Sequence, residues 1–298
     1  MATLPKSQPI PVVFHEYDAD ARLLSGQLQR PVQGNIDAPA FSSFTGREDH
    51  HQFQRAEPYN AHGIVSFKSG YTRVSGSRSE EKGWMTLATS VVEGLNILDV
   101  ITADRLVAQV STQHALQDGH VPRVTFLGTR FENLRVNGYL VDVELDLGVC
   151  GQKPAGNALY FEGSELVDNV ERQIKGITNT ISLPHEWKER YDRTSERIRG
   201  LTSFRGPYRD GYKAALSCSM VKNLAAVPVA KIYGNTLEIP DFGTVALAEI
   251  KVEQAWSGSE ETGVSTYFDL TMLEVRMGSL GSGQVQVGNV GANGKTKP

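Results

Sequence analysis

Cysteine is scarce in this chain: Cys150 and Cys218 are the only two in 298 residues. Two thiols are too few for a disulfide scaffold or for a zinc site built from cysteine alone. Both lie in apolar, strand-like stretches, LDLGVCG and ALSCSMV, which points to two buried thiols rather than a disulfide. No Asn-x-Ser/Thr sequon occurs. No run approaches the roughly 20 apolar residues of a membrane helix, so no membrane span is expected. Positive charge is not in excess either. Lys and Arg number 30 against 34 Asp and Glu, for a net charge of -4. That balance argues against a nucleic-acid partner bound by bulk charge. The chain opens with MATLPKSQPIPVVFHEYDAD, three prolines and an acidic cluster, with no basic segment leading into an apolar one. The expectation is no secretory signal and, by default, a cytoplasmic protein.

Hydrophobic residues are present in strength, at 40% of the chain, enough for a sizeable core. Residues 1–60 are rich in Pro, Gln, Ser and Asp and read as an irregular arm. From residue 61 the pattern becomes β-like. The stretch 83–112 is dominated by β-branched and aliphatic residues. Leu87, Val91, Leu95 and Leu98 also carry a helical spacing there, against which Gly94 and its β-branched neighbours weigh. LRVNGYLVDVELDL (134–147) places Asn137-Gly138 between two alternating runs, the signature of a type I′ hairpin. Val141, Val143, Leu145 and Leu147 should then be buried, with Asp142, Glu144 and Asp146 on a wet face.

Helical periodicity interrupts the β pattern at about 164–200. After Ser164, a candidate N-cap, Leu166, Val170, Ile174, Ile177 and Ile181 form one stripe. A second helix begins near Pro184 and runs to Gly200. Its arginines are interleaved with Trp187, Tyr191, Phe204 and Tyr208, but nearby acids offset most of that charge. The last third returns to alternating strands at 231–254 and 265–279. The fold class is therefore mainly β: an antiparallel sandwich-like core over 61–298 with a two-helix insertion.

Catalytic words fail on inspection. DFG (241–243) lacks the rest of a kinase site. GNVGANGKT (288–296) has Asn289 where a phosphate loop needs its first glycine. GREDHHQF (46–53) gathers metal-capable side chains, but adjacent residues of an extended segment point to opposite faces. A site there would use Asp49 and His50 with a distant third ligand.

Three stretches are similar to a known group. EGLNILDVITADRLVAQVS (93–111), TFLGTRFENLRVNGYLVDVELD (125–146) and TMLEVRMG (271–278) resemble blocks of the bacterial choice-of-anchor P type proteins. The resemblance implies an all-β bacterial protein attached to a cell surface, with no assigned catalytic residues. The residues by themselves support a non-enzymatic structural or interaction protein, self-associating or binding another protein, with no cofactor. The alternatives are a small-molecule or carbohydrate binding module, with Trp84, Trp187, Tyr191 and Trp256 as wall residues, or a metal-assisted hydrolase using the 48–51 cluster.

Overall fold

Residues 14–30 alternate without a break over their first half. His15, Tyr17, Ala19, Ala21 and Leu23 fall on one side, and Glu16, Asp18, Asp20 and Arg22 on the other. In the computed structural model, which describes residues 14–36, 39–115, 121–155, 159–162, 165–179, 183–203, 213–256, 264–278 and 282–297, this stretch is the strand Phe14–Arg30. It pairs along most of its length with Ser282–Lys297, and its apolar side is buried. The irregular arm expected for 1–60 is thus corrected from residue 14 onward. Alanines and a histidine in the buried positions hid a period of two that the acids on the other side in fact mark. Residues 1–13 lie outside the described residues.

Two large antiparallel sheets form among the described residues. The first runs in the order Lys231–Tyr233, Thr236–Ile239, Gly243–Trp256, Val264–Met277, Ser282–Lys297, Phe14–Arg30, Gly34–Ile36. Lys213–Ser219 adds to Gly243–Trp256, and Phe41–Gly46 adds to Phe14–Arg30. The second sheet is centred on Gly83–Ile97 and Ile101–His114, with Ser69–Ser79 and then His50–Ala56 outside them. Long β-branched pairing settles 83–97 as strand rather than helix. GNVGANGKT lies inside the central strand Ser282–Lys297, and DFG is a turn with Asp241 at φ 61°. The Asn137-Gly138 turn is observed: Val136 faces Tyr139, with φ 47° and 81° at the two central residues. Beyond it Val141 is buried, Val143, Leu145 and Leu147 are half-buried, and Asp142 and Glu144 are exposed. The return segment leaves the hairpin early, because Val143–Leu145 pairs with Val221–Leu224 instead.

The sheets pack face to face as a sandwich. Along one side their edges are tied by polar bonds. Phe41 N donates to Gln54 Oε1 (3.1 Å), Ser43 N to Gln52 Oε1 (3.0 Å), and the Ser42 and Thr72 hydroxyls meet at 2.8 Å. Two glutamines thereby occupy edge amides that would otherwise be open to another strand. Gly76 lets the sheets approach here; a Cβ on it would sit 2.7 Å from the Phe44 and Tyr17 rings.

One row of the first sheet breaks the alternation. Register is kept across it, yet the rungs at Leu23, Gly288, Met272 and Ala248 are skipped. Gly288 (φ 64°) and Ala248 (φ 45°) are left-handed. Consecutive residues Leu23 and Leu24, Leu247 and Ala248, and Met272 and Leu273 are all buried. The inward face changes parity at this row, and the interior divides into two apolar clusters on either side of it.

The other side of the sandwich is filled by α1 (Glu165–Thr178) and α2 (His185–Ser203). Leu166, Val170 and Ile174 belong to one buried cluster with Leu216 and Ile250 of the first sheet and Ala88 and Val110 of the second, so both sheets contribute to the cluster that receives the stripe. Ile177 is half-buried; Ser164 and Ile181 lie outside the described residues.

Ile174→Ala should cost about 2–5 kcal/mol in urea unfolding. Two Gly→Ala changes should move in opposite directions. Gly288→Ala places a side chain at positive φ and should lose about 1–2 kcal/mol. Gly176→Ala, on α1 with nothing within 4 Å of its would-be Cβ, should gain up to about 1 kcal/mol from helix propensity.

Candidate functional site

A half-open cavity of about 470 Å³ lies where α1 and α2 meet the first sheet. Its position follows from how α1 is held. The Gln173 side chain acts like a short piece of strand against the free edge of Lys213–Ser219. Its Nε2 donates to Ser219 O (2.7 Å), and Ser219 N donates to its Oε1 (3.2 Å). On the far side, Tyr191 of α2 donates its hydroxyl to Tyr233 O (3.4 Å). The Gly234 turn (φ 62°) sits under Ile177 and Tyr191; a Cβ there would lie 2.5 Å from Ile177 Cδ1. These polar clamps keep the helices beside the sheet edge with a gap between them, rather than in full apolar contact.

The wall is of two kinds. Ile174, Ile177, Leu216, Leu224 and Ile232 make an apolar part. Arg172, Arg197 and Lys222 bring positive charge, and Glu249 lies in the wall opposite Ser219 in register. Lys222 is compensated by Glu144 at 2.6 Å. Arg172 donates to the neutral Asn169 (2.8 Å), and Arg197 has no hydrogen-bond or ion-pair partner among the described residues. Cys218 also reaches the cavity. Burial, with Glu249 nearby, pushes its thiol up to about 12, so it is a neutral thiol and not a nucleophile near pH 7. Cys150 is likewise buried, free and raised by burial.

The expected wall residues whose side chains are described do not all line one cavity. Tyr191 lines the cavity. Trp187, one turn before Tyr191 on α2, is buried and stacked on Tyr233 (ring centroids 5.3 Å apart), beside a smaller cleft of about 310 Å³ that Arg193, Glu238 and Glu274 share. Trp84 is buried in a separate aromatic group with His15, Tyr17 and His114. The Trp256 side chain lies outside the described residues. Composition favoured tryptophan as a wall. The cavity instead uses the end of the α1 stripe, Ile174 and Ile177, together with the flanking Arg172, Gln173 and Gly176.

The 46–53 stretch is a corner where the chain passes from one sheet to the other. Asp49 accepts from Arg78 N (3.0 Å) and from the Tyr17 hydroxyl (3.3 Å), and His50 stacks on Phe44 at 4.7 Å. Among the described residues, no group of three or more His, Cys, Asp or Glu side chains converges as a metal site would. His15 is lowered to about 4 by burial and is neutral at pH 7. No helix among the described residues is long and apolar enough to cross a membrane.

A second polar group occupies the outer face of the first sheet. Tyr267 donates its hydroxyl to Asp20, directly above Gly291, whose missing side chain leaves room for the bond. Asp269 accepts from Asn289 (3.0 Å). Burial, then the charge of Asp20, pushes its carboxyl up to about 6.

Two sheets joined by polar bonds along one side and plugged by helices on the other define a β-sandwich with a helix-roofed cavity. Residues 15–253 match the family described as "Domain of unknown function (DUF8256)", and the chain belongs to that family. No curated protein and no solved structure matches it.

The raised Asp269 has a definite thermodynamic sign. The folded state holds this proton more tightly than the unfolded chain does. Stability from this group is therefore full below about pH 4 and is lost as the pH rises to about 6. Asp269→Asn, which keeps an acceptor for Asn289, should be more stable than the parent at pH 7 by about 1–3 kcal/mol. The advantage should vanish at pH 4, as followed by urea unfolding at both pH values.

Proposed function

We propose that this protein is a non-enzymatic binding module whose ligand is a small molecule held between α1, α2 and the edge of the first sheet. The observation that carries this is the cavity itself: about 470 Å³, with an apolar wall and a few converging polar groups. That size and composition are those of small-molecule sites. Its ionisable groups are guanidiniums, an ammonium, a carboxylate, the Tyr191 hydroxyl and a thiol kept neutral, a set suited to holding a ligand. The surface attachment implied by the choice-of-anchor P resemblance is compatible with such a role.

A second reading, a self-associating structural subunit, draws on Leu98, Tyr139 and Leu140, which are exposed around the Asn137-Gly138 hairpin and the neighbouring Ile97–Ile101 turn. Concentration-dependent mass in light scattering, lost in Leu140→Asp, would favour it.

Binding should be visible with the apolar dye N-phenyl-1-naphthylamine, whose fluorescence rises on transfer out of water. The parent should show saturable enhancement. Gly176→Phe, which introduces a ring at the cavity wall from a position with open space around it, should abolish the enhancement while leaving the circular dichroism spectrum unchanged. Equal dye binding by the parent and Gly176→Phe would refute this site.

A further inference from the structure

We propose that the cavity selects an amphipathic monocarboxylate, with its apolar body against Ile177, Leu224 and Ile232 and its carboxylate on Arg197 and Arg172. This rests on the binding reading above and adds the chemical class of the ligand.

The wall's charges are unequally compensated. Lys222 has Glu144, but no carboxylate lies within ion-pair distance of Arg172 or Arg197 among the described residues. Two arginines thus line the cavity against a single wall carboxylate, Glu249. They stand on different helices, so one anion between them would bind both α1 and α2. A planar guanidinium offers paired N–H donors that match the two oxygens of a carboxylate. The remaining wall excludes a purely polar anion from being the best fit. Ile177, Leu224 and Ile232 are half-buried and would stay in contact with water unless the ligand carried an apolar body. The volume accommodates a compact chain or ring, and the half-open mouth leaves the charged end in reach of the exposed arginines. Arg197 thereby acquires a role beyond solvation of α2. Arg193 on the same helix is already paired with Glu189 at 3.7 Å and lies toward the other cleft.

Displacement of bound N-phenyl-1-naphthylamine by decanoate and by decanol, at pH 7.5 and low salt, separates this inference from the reading beneath it. Decanoate should displace the dye about tenfold more strongly than decanol, the worth of one good charge-assisted contact. In Arg172→Gln/Arg197→Gln the dye should still bind, and the preference for decanoate should disappear. Equal displacement by the two compounds in the parent, or a preference that survives the double substitution, overturns the carboxylate assignment and leaves the binding module standing. Absence of dye binding by the folded parent overturns both.

Discussion

The pairing of Phe14–Arg30 with Ser282–Lys297 is the contact on which the architecture depends. These strands come from opposite ends of the sequence and lie side by side in the interior of the first sheet. One carries Phe41–Gly46 and Gly34–Ile36; the other carries everything from Val264–Met277 outward to Lys213–Ser219. Without this ladder the first sheet would separate into two pieces, each exposing a strand edge and half of a core face. The pairing closes a loop of more than 250 residues, whose entropic cost grows only slowly with length. The ordered rungs and the buried Tyr17, Ala19, Ala21, Val290 and Ala292 offset that cost.

The change of parity at Leu23, Gly288, Met272 and Ala248 has consequences well beyond those residues. A flat strand can turn only every second residue inward. Where four neighbouring strands each place two consecutive residues inward, the sheet must bend. The bend lets one sheet serve two clusters. One is filled by the opposing sheet and the short strands near residues 221–239. The other remains open on one side and receives the helices. The cavity belongs to that second cluster. It persists because Gln173 and Tyr191 spend their polar groups on edge backbone, which sets the helices at a fixed distance that apolar packing alone would have closed.

Polar side chains do similar work on the opposite side. Gln52 and Gln54 satisfy edge amides across the gap between sheets, and Asp49 ties the corner to Tyr17 and Arg78. The run that looked most like a metal site is therefore a joint. Its histidines face apart, as adjacent residues in an extended chain must, and one of them packs on an aromatic ring. The outer face of the first sheet shows the cost of such polar networks, since Asp269 lies among other carboxylates where burial resists its ionisation.

Local patterns in the sequence determined the mainly-β class, the Asn137-Gly138 turn and both helices, because each depends on residues within a few positions of one another. The strand Phe14–Arg30 was equally legible in its alternation, but small inward residues and a proline-rich approach concealed it. The stripe on α1 announced a buried face without saying what would bury it. Tertiary structure alone decided the rest. Val143–Leu145 left its hairpin because Val221–Leu224 offered a partner some 80 residues away. Trp84 went to a different place from Trp187 and Tyr191 because its strand belongs to the second sheet, whereas those two stand one turn apart on α2 and both meet Tyr233. The cavity is made by α1, α2 and strand edges that no sequence period connects. Its two uncompensated arginines could be recognised only once the positions of the surrounding carboxylates were known, since a charge is paired or unpaired by distance in space and not by distance along the chain.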